Sequence, residues 1–180
     1  MDNTFAGSEI RTRLAWRAGY LLASFGIYMV DQVTKAWAAR DLRSGTGRSV
    51  IPNFLDLVYA ENRGIAFGQL QEGGAFARWF FVVLAILAAI AVLYYFVRSS
   101  ANDDRILGSC ALLLAGIVGN LTDRIRLGYV IDFIVAHAGK YHWPTFNIAD
   151  ASICIGAFLL AWDLIVDGKK EKDPPSCVAA

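Results

Sequence analysis

Nineteen consecutive residues, Trp79 to Val97, carry no charge. A helix rises 1.5 Å per residue, so a run of roughly 20 apolar residues crosses the hydrocarbon core of a bilayer. Such a helix has no polar face to offer water, and lipid is the solvent that suits it. The rest of the chain agrees. Of 180 residues, 56% are hydrophobic and 18% charged, with a mean hydropathy of +0.43; soluble domains carry about 25% charged residues.

Four blocks of this kind are candidate spans: about 18–38, 76–97, 106–124 and 148–166. The first is less clean, because Asp31 and Lys35 sit near its end. It lacks a small-residue cleavage site and does not read as a removable leader. Four spans place both termini on one side. Basic residues number 8 on the proposed inner segments and 9 on the outer ones, which decides nothing by itself. The inner segments are shorter, however, and Arg11, Arg13 and Arg17 before the first span favour a cytoplasmic N-terminus.

The outer segments, about 39–75 and 125–147, are too polar to span. Phe54–Ala60 and Tyr129–Val135 have strand-like composition, and Asn62-Arg63-Gly64 reads as a turn. The expected fold is therefore an all-α membrane protein, one integral domain of four transmembrane helices with a small β-sheet platform on the outer face. The tail, about 169–180, is charged, contains Pro174-Pro175, and is expected to be disordered.

Several function classes drop out. The net charge of +1 gives no reason to expect a nucleic-acid partner. Cys110, Cys154 and Cys177 form no metal-type pair. His137 and His142 lie in a loop without an obvious third ligand, and no H-E-x-x-H occurs, so no metal is expected. No nucleophile elbow, Walker or Rossmann glycine pattern is present.

What remains is the placement of ionisable groups near the spans, which is costly and by default points to function or to a dedicated partner. Asp31 and Lys35, four apart on one helical face, can pair; an anchoring ion pair at the interface would explain them equally well. Asn120 faces Asp123 and Arg124 at the end of the third block, where a polar helix cap is the plainer reading. Ala111, Ala115 and Gly119 repeat every four residues and let another helix come close. Asp132 shares a strand face with Val130 and Ile134, so its carboxyl should be desolvated and its pKa raised. Asp150, at the start of the fourth block, could be a simple helix-start carboxylate. Together with Asp132 it suggests a pair sharing one proton, one member acting as base on a water and the other as acid. A small transporter or channel using the same two aspartates for protons or cations is the rival from another class. It would favour inverted repeats or interrupted spans, and neither is apparent. A non-catalytic scaffold is a third reading, against which both intact aspartates argue.

Five motifs then stand in order: Asp31-Gln32-Val33-Thr34-Lys35, Asn62-Arg63-Gly64-Ile65-Ala66-Phe67, Gly119-Asn120-Leu121-Thr122-Asp123-Arg124, Val130-Ile131-Asp132-Phe133 and Phe146-Asn147-Ile148-Ala149-Asp150. Together with the four-span layout, from roughly Leu14 to Val166, they resemble the lipoprotein signal peptidase family (signal peptidase II). One departure is Val118, where the family pattern usually has a second glycine. The resemblance implies an aspartic endopeptidase of the bacterial inner membrane. It would remove signal peptides from prolipoproteins, cutting before a cysteine that carries diacylglycerol. It implies Asp132 and Asp150 as catalytic residues, with Asp31, Lys35, Asn62, Asn120, Asp123, Arg124 and Asn147 in support. Gly64 is expected to bring backbone close to substrate. The site would face the periplasm, both termini the cytoplasm. The implied partners are diacylglyceryl-prolipoproteins, membrane lipid and inhibitory lipopeptides of the globomycin type; no cofactor is implied.

Overall fold

The computed structural model describes residues 3–45, 47–64, 74–100 and 103–170. The elements run α1 (Asn3–Asp41), β1 (Arg48–Ile51), β2 (Leu55–Asn62), α2 (Gly74–Arg98), α3 (Asp104–Arg126), β3 (Val130–Ala138), β4 (Tyr141–His142) and α4 (Ile148–Lys170). The chain is thus mostly helical with a small antiparallel sheet, as its apolar blocks and its two segments of strand-like composition predict. The expected disordered tail falls largely outside the described residues, as do Ile65, Ala66 and Phe67 of the second motif.

α3 is the central helix. Leu107, Cys110, Ala111, Leu114, Ala115 and Ile117 are all buried along it. α2 and α4 instead present large apolar side chains outward, among them Trp79, Leu87, Ile90 and Tyr94 on α2 and Phe158, Trp162 and Ile165 on α4. That surface is unsuited to water and natural in lipid. By length and composition three described helices can cross a membrane: Ala75–Arg98, Asp104–Arg126 and Ile148–Val166. α1 is not among them. It exposes Leu14, Leu22, Phe25 and Val33 in the same way, but Asp31, Gln32 and Lys35 dilute its apolar run.

Glycine sets the helix spacing. A Cβ on Gly116 would run into the Ala149 carbonyl oxygen, and one on Gly119 would lie 3.2 Å from Ala149 Cβ and 2.6 Å from Asp31 Oδ2. Gly156 of α4 likewise sits against the Ser109 carbonyl, which a Cβ would approach to 2.9 Å. The small-residue repeat thus marks the right helix, although the tightest approach to α4 is at Gly116, outside the four-residue series. At the far end of α3 an arginine from α2 completes the helix. Arg78 Nη2 donates to the Ile125 carbonyl at 2.6 Å, one of the carbonyls a helix end leaves without a partner.

The sheet order is β1-β2-β3-β4. β2 and β3 pair with Leu55 opposite Ala136, Ala60 opposite Asp132 and Asn62 opposite Val130, with an irregularity between Leu57 and Ala60. Beneath them Ala38, Leu42, Ile131 and Phe133 form a small core that joins the sheet to the end of α1. One backbone feature ties the sheet to α4. The Phe146 carbonyl accepts from Phe133 N at 3.1 Å and Ile134 N at 2.9 Å, and Phe146 N donates to the Ile134 carbonyl at 3.0 Å. Phe146 is followed at once by the first residue of the site.

Candidate active site

Asn147 is buried and precedes α4. Its side-chain Oδ1 accepts from Asp150 N at 2.9 Å, and Asp150 Oδ2 accepts from Asn147 N at 3.2 Å. This reciprocal arrangement is a capping box, which satisfies two backbone donors that a helix start leaves free. Asp31 of α1 supplies a third acceptor: Ala149 N donates to its Oδ1 at 2.9 Å. The helix start therefore places Asp150, the first of the two predicted carboxylates, through local bonds, with its cap completed by Asp31 of α1.

The second carboxylate arrives from the sheet. Asp132 is 1% exposed and receives two amide donors, Asn147 Nδ2 at 2.7 Å on Oδ1 and Asn62 Nδ2 at 2.9 Å on Oδ2. Desolvation pushes its pKa up to about 6. The charge of Asp150 adds to that rise, while the two amides and the Lys35 ammonium oppose it. The two asparagines favour the charged form but do not overcome burial.

Asn120 of α3 closes the set. It donates from Nδ2 to Asp150 Oδ1 at 2.7 Å, and its Oδ1 accepts from Asn147 Nδ2 at 3.2 Å and Lys35 Nζ at 3.0 Å. Among the described residues no hydrogen bond joins the two carboxylates directly. They are linked through Asn147, which reaches Asp132 by its side chain and Asp150 by both side chain and backbone.

Lys35 lies behind this network, 2% exposed beside the fully buried Asp31. Its Nζ is 2.9 Å from Asp31 Oδ2 and 3.0 Å from Asp123 Oδ2. The spacing of Asp31 and Lys35 thus gives the pair, but an anchoring pair at an exposed interface is not what forms. The pair is interior and holds a third charged partner from α3. Asp123 also accepts from Ile131 N at 3.2 Å, which joins α3 to β3 one residue before Asp132. Among the described residues it makes no hydrogen bond to either candidate catalytic carboxylate.

Arg124 donates to the Asn120 carbonyl at 3.4 Å and lies 5.3 Å from the centre of the Phe81 ring. Its charge interacts with Asp150 and Asp132 without a hydrogen bond to either. Gly64 N donates to Asn62 Oδ1 at 2.9 Å, closing the turn that holds the Asn62 amide on Asp132. All ten predicted site residues therefore fall in one connected region. Sequence reasoning missed Gln32, whose Nε2 bonds Asp31 Oδ2 at 3.1 Å, the Gly119 carbonyl at 3.2 Å and Asp123 Oδ1 at 3.3 Å. It also missed Phe81. Gln32 stands inside the first motif, and its position there is the only signal the sequence offers.

Gly64 has φ +80, and a Cβ there would overlap the Phe81 ring, 2.8 Å from Cδ2 and 3.1 Å from Cζ. A β-branched residue is badly strained at positive φ. Gly64→Val is expected to lower kcat/KM by about tenfold or more, equivalent to about 1.4 kcal/mol, and to lower the melting temperature as well, since strain of this kind costs about 1–3 kcal/mol. Steady-state kinetics beside a melting curve checks this; unchanged kinetics would reduce the turn to a connector.

Two buried-to-half-buried carboxylates, a set of asparagine donors and a nearby guanidinium make an arrangement able to activate water and polarise an amide. Comparison with known proteins points the same way. A family model described as Signal peptidase (SPase) II matches residues 23–166. A lipoprotein signal peptidase of Oleidesulfovibrio alaskensis is 43% identical over 142 residues, 78% of this chain and 90% of that protein. One from Cellvibrio japonicus is 37% identical over 153 residues, 84% of this chain and 88% of that protein. A solved bacterial membrane enzyme superposes with a TM-score of 0.75 at 34% identity, covering 87% of this chain and 93% of its own. The transporter reading finds no support in these relatives. With the match running from α1 through α4, this multi-pass membrane protein belongs to the signal peptidase II family.

Proposed function

We propose that the chain is a membrane-embedded aspartic endopeptidase that removes signal peptides from diacylglyceryl-modified prolipoproteins, cutting on the N-terminal side of the lipidated cysteine. The observation that carries the aspartic reading is the joint hold of Asn147 on Asp132 and Asp150. A water between the carboxylates attacks the scissile carbonyl carbon. The ionised aspartate takes a proton from the water; the protonated one gives its proton to the carbonyl oxygen. As the tetrahedral intermediate collapses, the C–N bond breaks. The aspartate that took the water's proton gives it to the leaving amine of the cysteine, the other takes a proton back from a hydroxyl of the intermediate, and the pair returns with the one proton it began with. Asp132, with its raised pKa, is the member suited to hold that proton. Arg124 has donors left for a substrate carbonyl.

In this reading α1 is a fourth span, the sheet and the active site face the periplasm, both termini are cytoplasmic, and the membrane is the bacterial inner membrane. Lipid contact is part of the chemistry. Each methylene of an acyl chain contributes about 0.8 kcal/mol on burial, so two chains hold the scissile bond at the depth of the carboxylates. A globomycin-type lipopeptide whose hydroxyl reaches between Asp132 and Asp150 would inhibit by replacing the attacking water.

The test is one proprotein offered with and without its diacylglyceryl group, in the same detergent. Cleavage is expected only of the lipidated form. Equal cleavage of both would show that lipid does not select the substrate.

A further inference from the structure

We propose that Phe81 is a positioning residue for the proposed peptidase reaction: its ring fixes the Arg124 guanidinium beside the carboxylates and fixes the Asn62–Gly64 turn against the same place. The inference rests on the aspartic reading above. Phe81 belongs to α2, which among the described residues contributes no side chain to the hydrogen-bonded network around Asp132 and Asp150. Yet its half-buried ring meets that network at two points. On one side the Arg124 guanidinium carbon lies 5.3 Å from the ring centre, within the range where a cation is attracted to an aromatic face. On the other, the ring fills the space a side chain on Gly64 would need. Phe80 braces it at 5.4 Å, edge to face, with planes 75° apart.

Among the described residues Arg124 has little else to hold it. Its one described hydrogen bond, to the Asn120 carbonyl, is long at 3.4 Å, and it makes no ion pair within reach of the aspartates among the described residues. A guanidinium held so loosely would swing toward a carboxylate and close the space a substrate needs. The ring face offers attraction without occupying a donor, so the N–H groups stay free for the substrate. Gly64 matters for the same reason. Asn62 bonds Asp132 through one end of its amide and Gly64 N through the other. Where the ring stops Gly64 is therefore where Asn62 meets the carboxylate. A ring displaced at Phe81 would loosen a donor on each side of the pair at once.

The experiment uses the full-length protein in detergent and a lipidated proprotein, with Phe81→Leu, Phe81→Tyr, Asp132→Asn and wild type side by side. Melting temperatures are recorded for all, and activity is assayed well below the lowest. Phe81→Leu keeps an apolar side chain but has no aromatic face, and should lose kcat by about tenfold. Phe81→Tyr keeps the face and should stay within about twofold of wild type. Phe81→Leu at wild-type rate would overturn the proposal, as would equal losses in the Leu and Tyr variants. An active Asp132→Asn would instead defeat the aspartic reading itself, whatever the Phe81 variants do. An inactive one, with Phe81→Leu unimpaired, would remove Phe81 alone.

Discussion

Asp132→Asn is expected to abolish cleavage and, at the same time, to remove a specific fall in stability between about pH 4 and pH 6. The first effect follows from the proposed division of labour. General acid–base catalysis contributes on the order of 10²- to 10⁴-fold, and an amide can neither hold nor release the shared proton. Asp150→Asn should lose activity to a similar extent for the same reason. The second effect follows from burial. The folded pKa of Asp132 is raised to about 6, against roughly 3.9 for an unfolded aspartate. Between those values the native state binds the proton more tightly than the unfolded chain. Stability contributed by this group is therefore fully present below about pH 4 and is lost as pH rises through about 6. Asp56, lowered by a hydrogen bond from Ser49 and by His137, and Glu61, lowered chiefly by Arg63, contribute in the opposite sense and at lower pH. The difference between the melting curves of wild type and Asp132→Asn across pH isolates Asp132. Parallel profiles for the two proteins would show that Asp132 is not desolvated in the folded state.

Lys35→Met should be the most damaging single change to folding. The ammonium stands between Asp31 and Asp123 and also bonds Asn120. Removing it takes from two interior carboxylates the cation that both of them pair with. Breaking a buried pair in this way costs about 3–5 kcal/mol, a large part of the stability of a domain this size. The loss reaches the catalytic region by two routes: Asp31 caps α4 through Ala149, and Asp123 holds Ile131 beside Asp132. Adding Asp123→Asn to Lys35→Met should recover part of the loss, since one unpaired charge then disappears. Thermal unfolding in detergent distinguishes these outcomes. A Lys35→Met protein melting with the wild type would mean that the cluster is held by its hydrogen bonds and not by its charge.

Much of this architecture is legible in the sequence because lipid and the helix period both write long, repeated signals. The helix cores over 76–97, 106–124 and 148–166 lie inside α2, α3 and α4, and the apolar, β-branched runs around Phe54–Ala60 and Tyr129–Val135 mark β2 and β3. β1 and β4 were not legible. One has four residues and the other two, too short for an alternation, and they exist because β2 and β3 offer edges. Among the polar residues, spacing gives the Asp31–Lys35 pair but not its burial, which depends on α3 arriving with Asp123 and Asn120 more than 80 residues later. Gln32 is an ordinary helical amide until Gly119 and Asp123 surround it. Phe81 is one aromatic in an apolar run, and nothing local separates it from Phe80, which is exposed where Phe81 meets Arg124.

The capping box at the start of α4 bears on how such a chain can change over generations. On the proposed roles, Asp150 is both a reacting group and part of what starts the helix. Its carboxylate accepts from Asn147 N and Asn120 Nδ2. An aliphatic replacement leaves both donors without it, at about 1–3 kcal/mol for each that stays buried, while the bond from the backbone N of residue 150 to Asn147 Oδ1 survives. A descendant gene that gives up cleavage by replacing Asp150 with an aliphatic residue therefore weakens its own fold as it does so. Inactive copies would tend to be cleared by proteolysis before they could be recruited to another use. Lineages that keep a folded protein would keep the carboxylate too, even where demand for the cleavage has relaxed.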